Sequence, residues 1–190
     1  MKRLLLVALL LLPSTAAAQA KFFGVTAGAT LSDYTDYWGF DTHDRWGFTA
    51  GFIAGIRTAN WMAISLEPSY TQMGGGDLRA DYIEVPLTFG GVARSGDGKM
   101  RYGGYTGITG AFKVTCSEPS AFDFCDRIKG SAWFLPLGLR FLRATKPGTF
   151  VGLDIKYNFP LGSSVDNAEA NQRSWAFRLV FIKGSSPTGY

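Results

Sequence analysis

The sequence predicts an all-β fold, an eight-stranded antiparallel up-and-down transmembrane β-barrel, from three observations. Apolar and polar residues alternate with a period of two along eight segments of about ten residues, which is the pattern of strands with two chemically different faces. A tilted strand needs about ten residues to cross a bilayer. Long and short connections also alternate between the segments, as in barrels whose long loops lie outside the cell and whose short turns lie in the periplasm.

A soluble β-sandwich is the alternative fold, because its two sheets pack their apolar faces together whereas a membrane barrel turns them outward. The composition, with 24 glycines and 15% aromatic residues, fits both. A sandwich needs neither strands of this length nor regularly alternating loop lengths, so the pattern favours the barrel.

The N-terminal residues are typical of a secretory signal peptide. Lys2 and Arg3 form a basic start, residues 4–12 are an apolar run, and residues 18–20 (Ala-Gln-Ala) resemble a cleavage site. No cysteine follows directly, which argues against a lipoprotein. We therefore divide the chain into a signal peptide (1–20), a β-barrel (21–183) and a short C-terminal tail (184–190).

The charge balance argues against a nucleic-acid partner. The chain has 19 basic and 15 acidic residues, and without Lys2 and Arg3 its net charge falls to +2. That value is too balanced for a nucleic-acid-binding surface. After residue 20 no apolar run approaches the roughly 18 residues of a membrane helix. Outer-membrane lipid is the expected partner of the apolar strand faces.

The first four predicted strands alternate clearly. The first (22–31) alternates apolar residues with glycine and threonine, and the second (46–57) alternates larger apolar residues with glycine and threonine. A very short turn joins the second strand to the third (61–70), which predicts an antiparallel hairpin. The fourth (82–93) sets Ile, Val, Leu and Phe against Glu, Pro, Thr and Gly.

The last four predicted strands are less even. Glycines fall on both faces of the fifth (101–114), so its register is the least defined. The sixth (131–144) alternates most strongly, and the seventh (148–161) and eighth (174–183) set apolar and aromatic residues against polar and charged ones. The long connections are predicted at 32–45, 72–81, 115–130 and 162–173.

Nearly every charged residue inside a predicted strand lies on the polar face of that strand. A barrel turns this face inward. An eight-stranded barrel is just wide enough to be filled by its own side chains, and buried charges need partners. We therefore expect a salt-bridge network that plugs the interior. The alternative is a proton- or solute-conducting path lined by the same residues. The predicted network consists of Glu67, Glu84, Lys113, Arg140, Asp154, Lys156 and Arg178.

Aromatic residues on the apolar faces of the strands lie near the strand ends that the long loops join. Trp and Tyr favour such positions, because their rings are stable at the boundary between lipid and water. The predicted aromatic girdle consists of Trp46, Tyr70, Trp133, Tyr157 and Trp175.

Two features of the predicted loops bear on chemistry. Cys116 and Cys125 lie in one loop of an exported chain, where an oxidising compartment favours a disulfide between them. His43 is the only histidine and lies in the sequence Asp-Thr-His-Asp. A metal site or a hydrolase centre at His43 is the alternative to a solvated surface group, which is what we expect. The sequence therefore predicts no catalytic residue, no metal and no cofactor.

Two short segments carry a family resemblance. Residues 67–72 (Glu-Pro-Ser-Tyr-Thr-Gln) match E-P-x-Y-x-Q, and residues 82–87 (Tyr-Ile-Glu-Val-Pro-Leu) are close to Y-x-E-I-P-L. Together with the glycine-containing segments 24–31 and 47–51, they resemble the PorT-like family of small outer-membrane β-barrel proteins (the outer membrane protein beta-barrel domain group). The resemblance implies a transmembrane barrel and no particular activity.

These features lead to an expected function that is not enzymatic. We expect a monomeric barrel in the outer membrane of a Gram-negative-type bacterium, with a side-chain-filled interior. Its role is then structural, or recognition of an extracellular ligand or protein through the outer loops. A narrow pore or transporter is the first alternative, and an outer-membrane lipid-modifying or hydrolytic enzyme is the second.

Overall fold

A single antiparallel sheet closes on itself in the computed structural model of the protein, which describes residues 20–35, 43–59, 61–118, 124–165 and 171–184. The first strand pairs with the last along 14 residue pairs, and this pairing closes the ring. Except for Ala20 and Gly184, the predicted signal peptide and C-terminal tail lie outside the described residues. The elements are β1 (Ala20–Thr35), β2 (Arg45–Ala59), β3 (Met62–Leu66), β4 (Ser69–Gly75), β5 (Leu78–Gly91), β6 (Ala93–Arg94), β7 (Met100–Ser117), the helical turn α1 (Phe124–Arg127), β8 (Ser131–Lys146), β9 (Thr149–Pro160) and β10 (Asn171–Gly184).

Eight crossings make up the barrel wall. β3 and β4 both pair with β2 on one side and with β5 on the other, so they are two halves of one crossing. The break falls at Glu67 and Pro68, where proline has no N–H to continue the ladder. β6 is a two-residue strand that follows β5 and, like β5, pairs with β7. The predicted eight-stranded antiparallel up-and-down barrel is confirmed.

The connections between strands define two ends of the barrel. The short-turn end carries the connections at 60–61, 95–99 and 147–148, together with the start of β1 and the end of β10. The long-loop end carries the connections at 36–44, 76–77, 118–130 and 161–170.

One predicted long loop, at residues 72–81, is wrong. Gln72 pairs with Asp81 and Gly75 pairs with Leu78, so β4 and β5 continue as a hairpin to a turn formed by Gly76 and Asp77. Gly76 has a φ of 56°, a left-handed conformation that glycine adopts without a steric penalty. The glycine run in this segment therefore marks a tight hairpin end rather than a flexible loop.

The two faces of the wall are opposite to those of a soluble protein. Phe52, Leu66 and Leu137 point away from the interior and are 66%, 44% and 48% exposed. In contrast, Glu84 and Arg178 point inward and are 0% and 1% exposed. A sandwich would bury the first three between its sheets, so the outward apolar face requires a lipid surround. Within the described ranges, no helix has the length and apolarity needed to cross a bilayer.

Buried apolar side chains form a cluster near each end of the barrel interior. The long-loop cluster includes Ile128 and Val165, which come from two different connections and form an isolated β-bridge with each other. They pack with strand residues over the mouth of the barrel. The other members of the long-loop cluster are Tyr34, Met73, Ala80, Tyr82, Ala111, Ala132 and Phe134. The short-turn cluster consists of Ile53, Phe150, Val180 and Ile182.

A disulfide joins Cys116 at the end of β7 to Cys125 in α1. Its Cα–Cα distance is 5.6 Å, within the ordinary range for such bonds. The carboxylate of Glu118 accepts a 3.0 Å hydrogen bond from the Cys125 backbone N–H. The disulfide therefore holds the connection between β7 and β8 close to the rim of the barrel.

The turn between β6 and β7 is stabilised by a carboxylate. Asp97 accepts hydrogen bonds from the Ser95 hydroxyl and, at 3.0 Å, from the Lys99 backbone N–H. These bonds favour the ionised form, so the pKa of Asp97 lies below its ordinary value.

Candidate functional site

Glu67 lies at the centre of a buried group of charges. Its carboxylate accepts hydrogen bonds from Arg140 at 2.9 and 3.0 Å, from Arg178 at 3.1 Å and from the Ser65 hydroxyl at 2.9 Å. Arg140 and Arg178 lie 73 and 111 residues away along the chain. Closure of the barrel brings these side chains together across the interior.

Asp154 links the same two arginines from the wall of the barrel. It lies directly opposite Arg140 on β8 and directly opposite Arg178 on β10. Its carboxylate accepts hydrogen bonds from Arg140 Nε at 2.8 Å, from Arg178 Nε at 2.9 Å and from Arg178 Nη2 at 2.6 Å. Each arginine therefore bridges Glu67 and Asp154, an arrangement that suits the planar guanidinium.

Glu84 forms a second ion pair in the interior. The Lys156 ammonium donates to its carboxylate at 2.7 Å, and the Asn158 side-chain amide donates at 2.8 Å. The Thr71 hydroxyl adds a bond of 3.2 Å. This carboxylate is 0% exposed, so these donors replace the water that would otherwise solvate it.

The charges at the centre of the barrel interior balance. We use the name lumen network for three carboxylates and three cations, each of which takes part in at least one ion pair of 3.1 Å or less. Five of the six side chains are at most 2% exposed, and Arg140 is 14% exposed. A neutral, fully paired set is the arrangement in which buried charges cost least. The lumen network consists of Glu67, Glu84, Arg140, Asp154, Lys156 and Arg178.

Comparison with known families decides what kind of barrel this is. The family model "Outer membrane protein beta-barrel domain" matches residues 4–181. The chain belongs to this family. As an outer membrane protein beta-barrel domain protein, it lies in the outer membrane, and lipid meets the apolar face of its wall.

Solved structures share the fold of this family member. OprG from Pseudomonas aeruginosa has a TM-score of 0.63 at 13% identity, covering 90% of this chain and 97% of OprG. Neisserial surface protein A has a TM-score of 0.57 at 16% identity, covering 85% and 96%. The N-terminal barrel domain of Pseudomonas aeruginosa OprF has a TM-score of 0.53 at 10% identity, covering 87% and 96%. At these identities the similarity shows the fold alone. The comparison with curated proteins found no match.

The structure separates Lys113 from the other predicted network residues, and this part of the prediction needs correction. Its ammonium donates to the backbone carbonyls of Cys125 and Ile128 at 2.7 and 2.6 Å. Lys113 lies near the long-loop end of β7, where the connection to β8 folds over the barrel mouth and supplies these acceptors. Lys113 therefore stabilises the connection between β7 and β8 and lies outside the lumen network.

Sequence reasoning missed Tyr105 as a partner of the buried charges. Its hydroxyl donates to Asp154 at 3.0 Å and accepts from Arg178 at 3.1 Å. The Arg140 guanidinium lies 4.9 Å from the centre of its ring. Tyr105 lies directly opposite Gly138, where a side chain would collide with the ring. The sequence contains a signal for this contact, because Tyr105 and Gly138 both lie on the polar faces of neighbouring predicted strands.

The predicted girdle residues lie on the outer wall, as their parity requires. Trp46, Trp133 and Trp175 are exposed, and the rings of Tyr157 and Trp175 are 4.7 Å apart. The Tyr70 ring lies 5.4 Å from that of Phe48, while the Tyr70 hydroxyl donates to Asp81. An apolar ring with a polar tip suits the edge of a bilayer. Their role as a girdle stays a prediction.

His43 is exposed at the long-loop end and is the first described residue after the gap at 36–42. Its backbone carbonyl accepts a 2.7 Å hydrogen bond from the Gly76 N–H. Among the described residues, no group of three or more His, Cys, Asp or Glu side chains is placed to hold a metal ion. Asp41 and Thr42 lie outside the described residues, so the sequence expectation for this loop stays a prediction.

Replacing Glu67 tests how strongly the lumen network stabilises the barrel. We expect Glu67→Gln to lower the free energy of unfolding by about 3–5 kcal/mol, because two buried arginines would lose a carboxylate. Urea unfolding of protein folded into lipid vesicles measures this change. Asp44→Asn removes an exposed carboxylate and should have little effect. Equal destabilisation by both variants would contradict the assignment.

Substitution of Gly138 tests the role of Tyr105. A Cβ at residue 138 would lie 2.2 Å from Tyr105 Cζ, so Gly138→Ala should displace the ring, break its bonds to Asp154 and Arg178, and cost about 1–3 kcal/mol. Gly96→Ala is the control, because nothing lies within 4 Å of its Cβ position. In a Tyr105→Phe background the cost of Gly138→Ala should shrink; additive costs would disprove the coupling.

Proposed function

We propose that this protein is a closed, non-conducting outer-membrane barrel that serves as a structural anchor and presents its long-loop end for recognition outside the cell. One observation carries the proposal, the neutral lumen network, whose buried ion pairs cross the interior from Glu67, between β3 and β4, to β8 and β10. The long-loop cluster supports it, because Ile128 and Val165 pack over the same passage.

We infer that the long-loop end faces outward and the short-turn end faces the periplasm. The predicted signal peptide supports export through the inner membrane, with cleavage after residue 20. Both described termini, Ala20 and Gly184, lie at the short-turn end, the side that export of this kind favours. The disulfide between Cys116 and Cys125 agrees with an oxidising compartment. We take the protein to act as a monomer, because its own strands close the sheet.

Membership of the PorT-like group is a further proposal. It rests on residues 67–72 and 82–87, whose glutamates, Glu67 and Glu84, both lie in the lumen network. In this interpretation, the two motifs serve to fill and neutralise the interior, so they carry no enzymatic chemistry.

A narrow pore is the second candidate, and one observation favours it. A cavity opens at the short-turn end and reaches Tyr105 and Arg140, so the closed part of the interior does not extend through the whole barrel. Conduction would then require the lumen network to rearrange.

Conductance in planar lipid bilayers separates a closed barrel from a pore. We expect the purified protein to insert without steady single-channel steps, because the buried ion pairs leave no continuous water path. An Ile128→Ser and Val165→Ser double variant should also stay silent, since the lumen network remains. A general porin in the same bilayer is the positive control. Steady steps from the wild type would establish the pore.

Cysteine labelling in whole cells tests which end of the barrel is outside. Asp77 and Asp97 are both exposed turn residues, and they lie at opposite ends. A membrane-impermeant maleimide should label Asp77→Cys and leave Asp97→Cys unlabelled until the outer membrane is opened. The wild type is the control, because both of its cysteines are in the disulfide. The reverse pattern would overturn the orientation.

A further inference from the structure

Two buried amide side chains lie between the lumen network and the long-loop cluster. They are Asn158 on β9 and Gln172 on β10, and 1% and 0% of their surfaces are exposed. Asn158 lies directly opposite Ser174, and Gln172 is two residues from Ser174 on the inward face of β10. Residues two apart on a strand share a face, so the two amides are diagonal neighbours in the interior of the barrel.

Hydrogen bonds fix the orientation of the Asn158 amide. Its Nδ2 donates to the Glu84 carboxylate at 2.8 Å and to the Ser174 hydroxyl at 3.2 Å. The opposite orientation would place the amide oxygen against the carboxylate, and neither of these groups can donate. The Oδ1 atom therefore points away from Glu84, and it is buried with no hydrogen-bond partner among the described residues. This oxygen needs a donor.

The Gln172 amide lacks more hydrogen bonds than the Asn158 amide. Its Nε2 and its Oε1 are both buried, and neither has a hydrogen-bond partner in the part of the chain that the structure describes. An amide in this state is destabilising, because folding has removed the water that solvated it in the unfolded chain. Only a ligand that both donates and accepts hydrogen bonds can satisfy this side chain.

The surroundings of Gln172 connect it to the cover of the barrel mouth. Tyr34 lies directly opposite on β1 and belongs to the long-loop cluster. The backbone N–H of Gln172 donates to the Ser164 hydroxyl at 3.4 Å. Ser164 directly precedes Val165, which packs over the mouth. The amide is therefore placed between the buried charges below it and the connection that covers them.

The ligand that fits both amides is water. The Asn158 oxygen needs a donor, and Gln172 needs both a donor and an acceptor. A buried water molecule typically makes about three hydrogen bonds and can supply both kinds. The nearest charges, those of Glu84 and Lys156, already neutralise one another through their 2.7 Å ion pair, so the site has no net charge that requires a counter-ion.

We propose that at least one ordered water molecule binds between Asn158 and Gln172 and extends the lumen network toward the long-loop end. The bound water donates to Asn158 Oδ1 and accepts from Gln172 Nε2. A chain of hydrogen bonds then runs from Glu84 through Asn158 and the water to Gln172, whose backbone contacts Ser164. The cover of the mouth is thereby coupled to the buried charges.

A crystal structure of the full chain in detergent, at a resolution that shows ordered water, tests the site directly. We expect solvent density at about 2.7–3.2 Å from both Asn158 Oδ1 and the Gln172 amide. Protein donors and acceptors in contact with these atoms, or no density between the two amides, would overturn the proposal. Several oxygen contacts at about 2.3–2.6 Å would identify a cation such as Ca²⁺, and that result would overturn it as well.

Urea unfolding of Gln172→Leu in lipid vesicles is an independent test. If the amide had no partner, an apolar side chain of similar size would be better tolerated, and the variant would unfold at a higher urea concentration than the wild type. A water-bound amide predicts the opposite result, because the variant would leave the water and Asn158 short of hydrogen bonds. We therefore expect a lower urea midpoint. A midpoint equal to or above that of the wild type would count against the site.

Gln72→Leu is the matched control. Gln72 lies near the same end of the barrel but on the outer side of β4, where its amide donates to the Tyr70 hydroxyl at 3.5 Å. The variant removes the same amide without touching the interior. Its urea midpoint should fall less than that of Gln172→Leu, and the density between Asn158 and Gln172 should remain. Equal falls in the two midpoints would show that the effect does not come from the proposed water site.

Discussion

The fold depends on neutralising charges that the barrel wall forces into its own interior. Every second residue of a strand points inward, so polar positions on one face of eight crossings meet in a space too narrow for bulk water. Glu67 and Asp154 each receive hydrogen bonds from Arg140 and Arg178, and removing one member would leave the others buried and unpaired. An inward-facing charged residue is therefore tolerated only where a residue of opposite charge lies within reach.

The outward face is subject to a different solvent. Lipid accepts no hydrogen bonds, so the backbone groups of the wall must all be paired, and closure of β1 onto β10 removes the last open edge. The outward apolar side chains then contact lipid acyl chains along the whole length of each crossing. Pairing of the backbone and neutralisation of the interior are linked, because both require that the register of each strand be correct to the residue.

The two ends of the barrel differ in how far they are closed. At the long-loop end, Ile128 and Val165 fold over the mouth, and Lys113 together with the disulfide holds the connection that carries Ile128. At the short-turn end a cavity leads inward as far as Tyr105 and Arg140.

The sequence by itself determined the number of crossings, the face on which each residue lies and the pairing of the two cysteines. A period of two is a local property, so the inward positions of Glu67, Glu84 and Asp154 follow without a model of the whole. The tertiary structure alone decided which charges meet, since Arg178 reaches Glu67 across 111 residues of chain. It also placed Tyr105 against Gly138 and Lys113 beside loop carbonyls. Those contacts depend on shear and closure of the sheet, which are global quantities that no local pattern contains.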